Sequence, residues 1–161
     1  MNTTRTNENL QTALGMELTA MHQYQLHAAV LDDWGLSLLA SKMREEMAEE
    51  LGHSNDYISR IIFLKGKPQL IMAKTPVPAP SLVEMFESDL CDEKEALEFY
   101  TKASIEASED QDIGSRTLFE RIALDEEGHM SWLELQLDLI QRIGERAYVA
   151  KQMPSPGQAE E

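Results

Sequence analysis

Glu50-Leu51-Gly52-His53 (ELGH) and Glu126-Glu127-Gly128-His129 (EEGH) decide how this chain is read. Each is a Glu-x-x-His unit, and residues three apart share one face of a helix. Each unit therefore presents a carboxylate and an imidazole to one point. A further glutamate lies thirty-six residues before each histidine: Glu17 before His53, and Glu93 before His129. The differences 93 − 17, 126 − 50 and 129 − 53 all equal 76. Tyr24 and Tyr100 keep the same offset, each seven residues after its glutamate, and so do Gly52 and Gly128. The chain repeats a helix pair with its candidate ligands in register.

The flanking sequence has the helical period. Leu10, Leu14, Glu17, Met21, Tyr24, Ala28 and Leu31 recur at steps of three and four, which predicts a helix over about Asn7 to Trp34. Gly35 breaks it. A second helix is expected from about Leu36 to Lys65, stopped by Gly66 and Pro68. Residues 67–80 have no period and end in the alternate prolines Pro76, Pro78 and Pro80, which favour extended backbone. This stretch reads as a long crossover, because the helices on both sides need each other to bury their apolar faces. Ser81, with Glu84 three residues on, forms a capping box for a third helix reaching about Asp110. A fourth is expected from Ile113 to Ile143, with Gly144 at its end, and a short fifth from Arg146 to Gln152. Residues 1–152 read as one all-α domain, and 153–161 as a disordered tail. Two helix pairs joined by one long connection describe a four-helix bundle.

Glu17, Glu93 and Glu126 fall within the apolar stripes of their helices, where an unpaired charge costs several kcal/mol. Two divalent cations carry four positive charges, four glutamates carry four negative ones, and two neutral imidazoles complete the set. Carboxylates with a few histidines suit iron or manganese better than metals that prefer thiolate.

Composition narrows the remaining classes. The net charge of −15, from 29 acidic and 14 basic residues, argues against a nucleic-acid footprint. One cysteine, Cys91, excludes an intrachain disulfide framework and a zinc ribbon. No signal peptide or membrane span is visible, so a cytoplasmic protein is expected.

The stretches LGMELTAMHQYQLHA (Leu14 to Ala28), EELGHSNDYISRIIFLKG (Glu49 to Gly66) and DEEGHMSWLELQLDLI (Asp125 to Ile140) resemble bacterioferritin, and the similarity spans nearly the whole chain. The resemblance implies a ferritin-like bundle, a hollow shell of twenty-four subunits, and a di-iron ferroxidase centre in each. Position by position, it makes Glu50 and Glu126 bridging carboxylates. It makes Glu17 and His53 ligands of one iron, and Glu93 and His129 ligands of the other. Tyr24 matches a tyrosine beside the centre. The family's haem-ligating methionine is replaced by Leu51, so no methionine-ligated haem is expected in a homomer, although a mixed shell with a haem-binding subunit would hold some. A histidine and an aspartate of the family's inner surface correspond to Glu45 and Glu49, both still able to relay iron inward.

The reading is thus iron storage, with Fe(II) oxidised by oxygen or peroxide. The rivals are a rubrerythrin-like oxidase or peroxidase, a di-manganese catalase, and a metal-free structural bundle or haem-free partner subunit. Asp89, four residues before Glu93, is a candidate to orient a ligand histidine. Tyr100 and Trp132 are expected to pack, and His22 and His27 to lie at the surface or an interface.

Overall fold

The computed structural model describes residues 3–155. Five helices follow in order: α1 (Thr3–Asp33), α2 (Ser37–Phe63), α3 (Leu82–Glu109), α4 (Ile113–Ile143) and α5 (Glu145–Gln152). The expected ends fall within a few residues of these. Residues 156–161 of the expected tail lie outside the described residues. The α1–α2 and α3–α4 hairpins each bury their own apolar faces, and α1 lies against α3. No helix among the described residues is long and apolar enough to cross a membrane.

α1 is already helical at Thr3, the first described residue, ahead of where the apolar period places it. Its first turn is held from outside: the Arg5 guanidinium contacts Asp110, Glu109 and the Glu106 carbonyl, and the Asn9 amide donates to Glu106 at 2.7 Å. Ser81 caps α3 as expected, accepting from the Glu84 amide at 3.2 Å. The Glu84 carboxylate returns to the Ser81 hydroxyl at 2.7 Å rather than to its backbone, so half of the capping box forms. Asp112 caps α4, accepting from the Ser115 amide at 3.0 Å and from Arg60 at 2.5 Å. Gly144, at φ +82°, turns the chain from α4 into α5, a backbone conformation that a side chain would strain. α5 is fastened by Tyr148, which is buried, meets Phe86 edge-on and donates to Gln136 at 2.7 Å.

The crossover between α2 and α3 lies along α1. Gln11 exchanges two hydrogen bonds with Gln69, at 2.6 and 2.8 Å. The Ala73 amide reaches both the Gly15 carbonyl at 3.0 Å and the Thr19 hydroxyl at 2.9 Å. Gln23 exchanges two bonds with Val77, at 2.8 and 3.1 Å. These α1 positions are four apart, one helical turn each, so they form a single line of anchors. Gly15 suits this close approach, since a Cβ would stand 3.0 Å from the Ile71 carbonyl and press on the crossover backbone.

The interior has two apolar clusters with a polar band between them. One is built around Leu10, Leu14, Tyr57, Ile61, Tyr100 and Phe119. The other is built around Leu31, Leu39, Met43, Met85, Phe86 and Leu133. Each fully buried Leu, Ile, Met or Phe contributes roughly 1.5–3 kcal/mol. The two clusters carry the fold and leave the band between them free to hold charge.

Candidate metal centre

Glu17 on α1, Glu50 and His53 on α2, Glu93 on α3, and Glu126 and His129 on α4 meet in that band. Each is at most 6% exposed. Glu50 and Glu126 stand between the two imidazoles. The Glu50 oxygens lie 3.0 Å from His53 Nδ1 and 3.1 Å from His129 Nδ1. The Glu126 oxygens lie 3.3 and 3.2 Å from the same two atoms. Glu17 approaches only His53, at 3.5 Å, and Glu93 only His129, at 3.6 Å. Two four-residue groups result, Glu17/Glu50/His53/Glu126 and Glu50/Glu93/Glu126/His129, each with its ligand atoms within 4.8 Å of one another.

The contacts around this set cross between hairpins. The Tyr24 hydroxyl of α1 donates to Glu93 of α3, and the Tyr100 hydroxyl of α3 donates to Glu17 of α1. His53 Nε2 of α2 lies 3.0 Å from Asp125 of α4, and His129 Nε2 of α4 lies 3.0 Å from Glu49 of α2. Each imidazole thus turns Nδ1 to the centre and Nε2 to a carboxylate outside it, an arrangement that fixes ring orientation in metal sites. Tyr100 is therefore more than packing, and Asp125 joins the site's surroundings. The offset exposes both: 125 − 49 is again 76.

Several neighbours stand apart from the expected pattern. Glu45 is exposed, whereas Glu46 is buried and brings Oε2 to 2.6 Å from His129 Nε2. Glu46 lies one turn before Glu50 and shares its face, which Glu45 does not. The Glu46 carboxylate also pairs with Lys42, whose ammonium lies 5.4 Å above the Trp132 ring. Asp89 does orient a histidine, but it is His27, with Nδ1 at 3.0 Å, while His27 Nε2 faces Gln23 at 2.9 Å. His27 is buried rather than at the surface, because α3 and the crossover both close over that side of α1. His22 is partly exposed and faces Gln25 at 3.0 Å. Trp132 packs edge-on against Phe86. Leu51 is 48% exposed.

The electrostatics describe a site charged for cations. Burial, joined by the charge of Glu50, pushes Glu17 far above the ordinary carboxylate range. Burial, joined by the charge of Glu126, does the same to Glu93. Burial also acts upward on Glu126, but the nearby Glu93 carboxyl and the His129 and His53 imidazoles outweigh it and hold that carboxylate low. Burial would lower both imidazoles, yet the surrounding carboxylates outweigh it and raise them strongly. Without metal, protons therefore do the neutralising. Even so, Glu50 Oε1, both Glu126 oxygens and His129 Nδ1 are buried with no hydrogen-bond partner. Leaving such atoms unpaired is costly, and divalent cations among them would satisfy all four. The donor set fits a pair of iron or manganese ions.

The comparisons with known proteins agree with this geometry. The ferritin-like domain family matches residues 7–143. Bacterioferritin of Rhodobacter capsulatus is 41% identical over 141 residues, 88% of each chain. Bacterioferritin of Mycobacterium tuberculosis is 36% identical over 147 residues, 91% of this chain and 92% of its own. The solved structure of the Rhodobacter capsulatus protein superposes with a TM-score of 0.92 at 38% identity, covering 96% of both chains. That protein was solved with a metal-free dinuclear site and with haem iron in a crystallographic special position. Fold, repeat and relatives thus converge: the chain belongs to the ferritin-like domain family and, within it, to the bacterioferritins.

Proposed function

We propose that this chain stores iron as one subunit of a hollow cytoplasmic shell of twenty-four, and that its buried centre is a ferroxidase. One observation carries the reading. Six side chains converge with unpaired buried oxygens, and the partners of the four glutamates are imidazoles and phenols rather than lysine or arginine. Such a site is complete only with cations in it.

Fe(II) is the substrate. Two Fe(II) ions displace the protons of the metal-free site, and the four carboxylates balance their charge. Glu50 and Glu126 span the pair. Glu17 with His53, and Glu93 with His129, terminate its two ends. Each Fe(II) gives up one electron. One oxygen molecule accepts both, with two protons, to leave hydrogen peroxide. Alternatively, one hydrogen peroxide accepts both, with two protons, to leave two waters. Either way two Fe(III) ions result. Their six positive charges exceed the four carboxylate charges, which favours transfer to further oxygen ligands. Glu49, joined by the buried Glu46 rather than the exposed Glu45, stands on the far side of His129 to receive them. The exposed Leu51 offers no haem ligand, and Met47, one turn away, packs partly buried against the core. We expect no methionine-ligated haem in a homomer of this chain, with haem supplied only by a partner subunit in a mixed shell.

Glu50→Ala and His129→Ala are expected to abolish rapid Fe(II) oxidation, followed by oxygen uptake, while size analysis still shows the full shell. Unchanged kinetics in both variants would remove the site assignment. A small oligomer without Fe(II)-dependent oxygen uptake would remove the storage reading. Metal analysis after growth with iron and manganese both available separates it from a di-manganese catalase.

A further inference from the structure

A cavity of about 140 Å³ opens between α1, α3 and the crossover. Its floor is made by Glu17, Glu50, Glu93 and Glu126, all buried. Lys74 and Glu95, both exposed, and the part-buried Asp92 also line it and form its outer rim. The cavity thus runs from solvent to the unpaired oxygens of the centre.

Lys74 occupies this rim in a fixed way. Its backbone belongs to the stretch that Gly15 and Thr19 hold against α1: the Ala73 amide bonds to both, and the Lys74 amide lies 3.3 Å from the Thr19 hydroxyl. Its side chain reaches across to α3, where Nζ lies 2.5 Å from Asp92 and 3.6 Å from Glu95. One end of this bridge is anchored to each wall of the cavity. Two carboxylates at a cavity mouth would raise the local concentration of cations and speed their arrival. Here a tethered ammonium takes up those carboxylates itself.

Resting on the reading of the centre as a metal pair, we propose that ferrous iron enters through this cavity between α1 and α3, and that Lys74 meters its entry. An arriving divalent ion displaces the ammonium from Asp92 and Glu95. It then passes inward along a wall that includes the buried Asp89 to the four glutamates on the floor. A doubly charged ion competes for two carboxylates better than a singly charged one, so the bridge discriminates against monovalent ions. Lys74 touches none of the six centre residues, so it governs the rate of exchange and leaves the binding equilibrium alone.

The test follows Co(II) binding to the assembled, full-length, metal-free protein by stopped-flow absorbance without oxygen. Lys74→Met is expected to raise the association rate about tenfold. Dissociation should rise by a similar factor, with two Co(II) still bound per chain and overall affinity within about twofold of wild type. Lys74→Arg, which keeps the bridge, should retain the slow wild-type rate. A wild-type association rate in Lys74→Met would overturn the proposal. So would a change in affinity as large as the change in rate, which would mean that Lys74 shapes the centre. Two Co(II) bound at unaltered rates sinks the entry role alone. Failure of the wild-type protein to bind Co(II) at all sinks the metal centre and the entry role together.

Discussion

Glu17, Glu50 and His53 come from the α1–α2 hairpin, and Glu93, Glu126 and His129 from the α3–α4 hairpin, at a constant offset of 76. Each four-residue group takes three members from one hairpin and borrows the fourth from the other: Glu126 for the first, Glu50 for the second. The phenols and the carboxylates behind the imidazoles also cross over. Around this shared set the hairpins differ. Position 46 is the carboxylate Glu46 in one, and its counterpart, position 122, is the apolar Ile122 in the other. The buried His27–Asp89 pair on one side of the centre is answered by Ala103 and Ala13 on the other. The α4 start is capped by Asp112, whereas its counterpart Leu36 at the start of α2 is buried and makes no side-chain cap. The comparison teaches that the repeat holds for the carboxylates, imidazoles and phenols that meet in the central band. It was lost where only packing or access was at stake.

Three measurements break or sharpen this. The largest effect is expected behind the imidazoles. Asp125→Ala removes the hydrogen-bonded carboxylate from His53, and such partners typically govern metal affinity by about 10- to 100-fold. Glu49→Ala should cost less, because Glu46 still lies 2.6 Å from His129. Equal losses in a Co(II) titration would show that Glu46 does not support His129. Next come the phenols. Tyr24→Phe and Tyr100→Phe each strip a buried carboxyl of its donor. They should destabilise the metal-free chain by about 2 kcal/mol, and by the same amount if the repeat holds. Denaturation midpoints check this, and a one-sided loss would end the equivalence.

The smallest effect is expected at the α4 cap, where Asp112→Ala should cost about 1 kcal/mol. This contribution depends on pH. Burial alone would raise the Asp112 carboxyl, but the Ser115 amide and hydroxyl and the Arg60 guanidinium outweigh it and hold it below its ordinary value. A carboxyl depressed by folding stabilises above its unfolded pKa, and that stability is lost as pH falls through the folded value. The wild type and variant should therefore differ most near neutrality and converge in acid. A gap that widens in acid would refute the cap.

Much of this was legible in the sequence, because helix periodicity and a fixed offset are local arithmetic. The four long helices, the crossover and the six converging residues all follow from positions along the chain. What escaped needed a second helix to be seen. α1 is helical ahead of Asn7 because Arg5 meets Asp110, 105 residues along the chain. His27 is internal because α3 supplies Asp89 and the crossover supplies Val77, bonded through Gln23. Tyr100 is the core residue its sequence position indicates, but only the fold brings Glu17 to its hydroxyl, and its offset from Tyr24 carries the hint. Glu46 is legible too, one turn from Glu50 on the same face, whereas the family resemblance points to Glu45. Gly52 and Gly128 show the converse. Their repeat is plain in the sequence, yet a Cβ at either would meet nothing within 4 Å. Nothing among the described residues explains them.

The borrowed residues give the crossover an unexpected standing. A chain cut between α2 and α3 becomes two hairpins, neither of which can complete a four-residue group alone. Metal would then act as the rivet between separate pieces, and their reassembly would report how much of it is present.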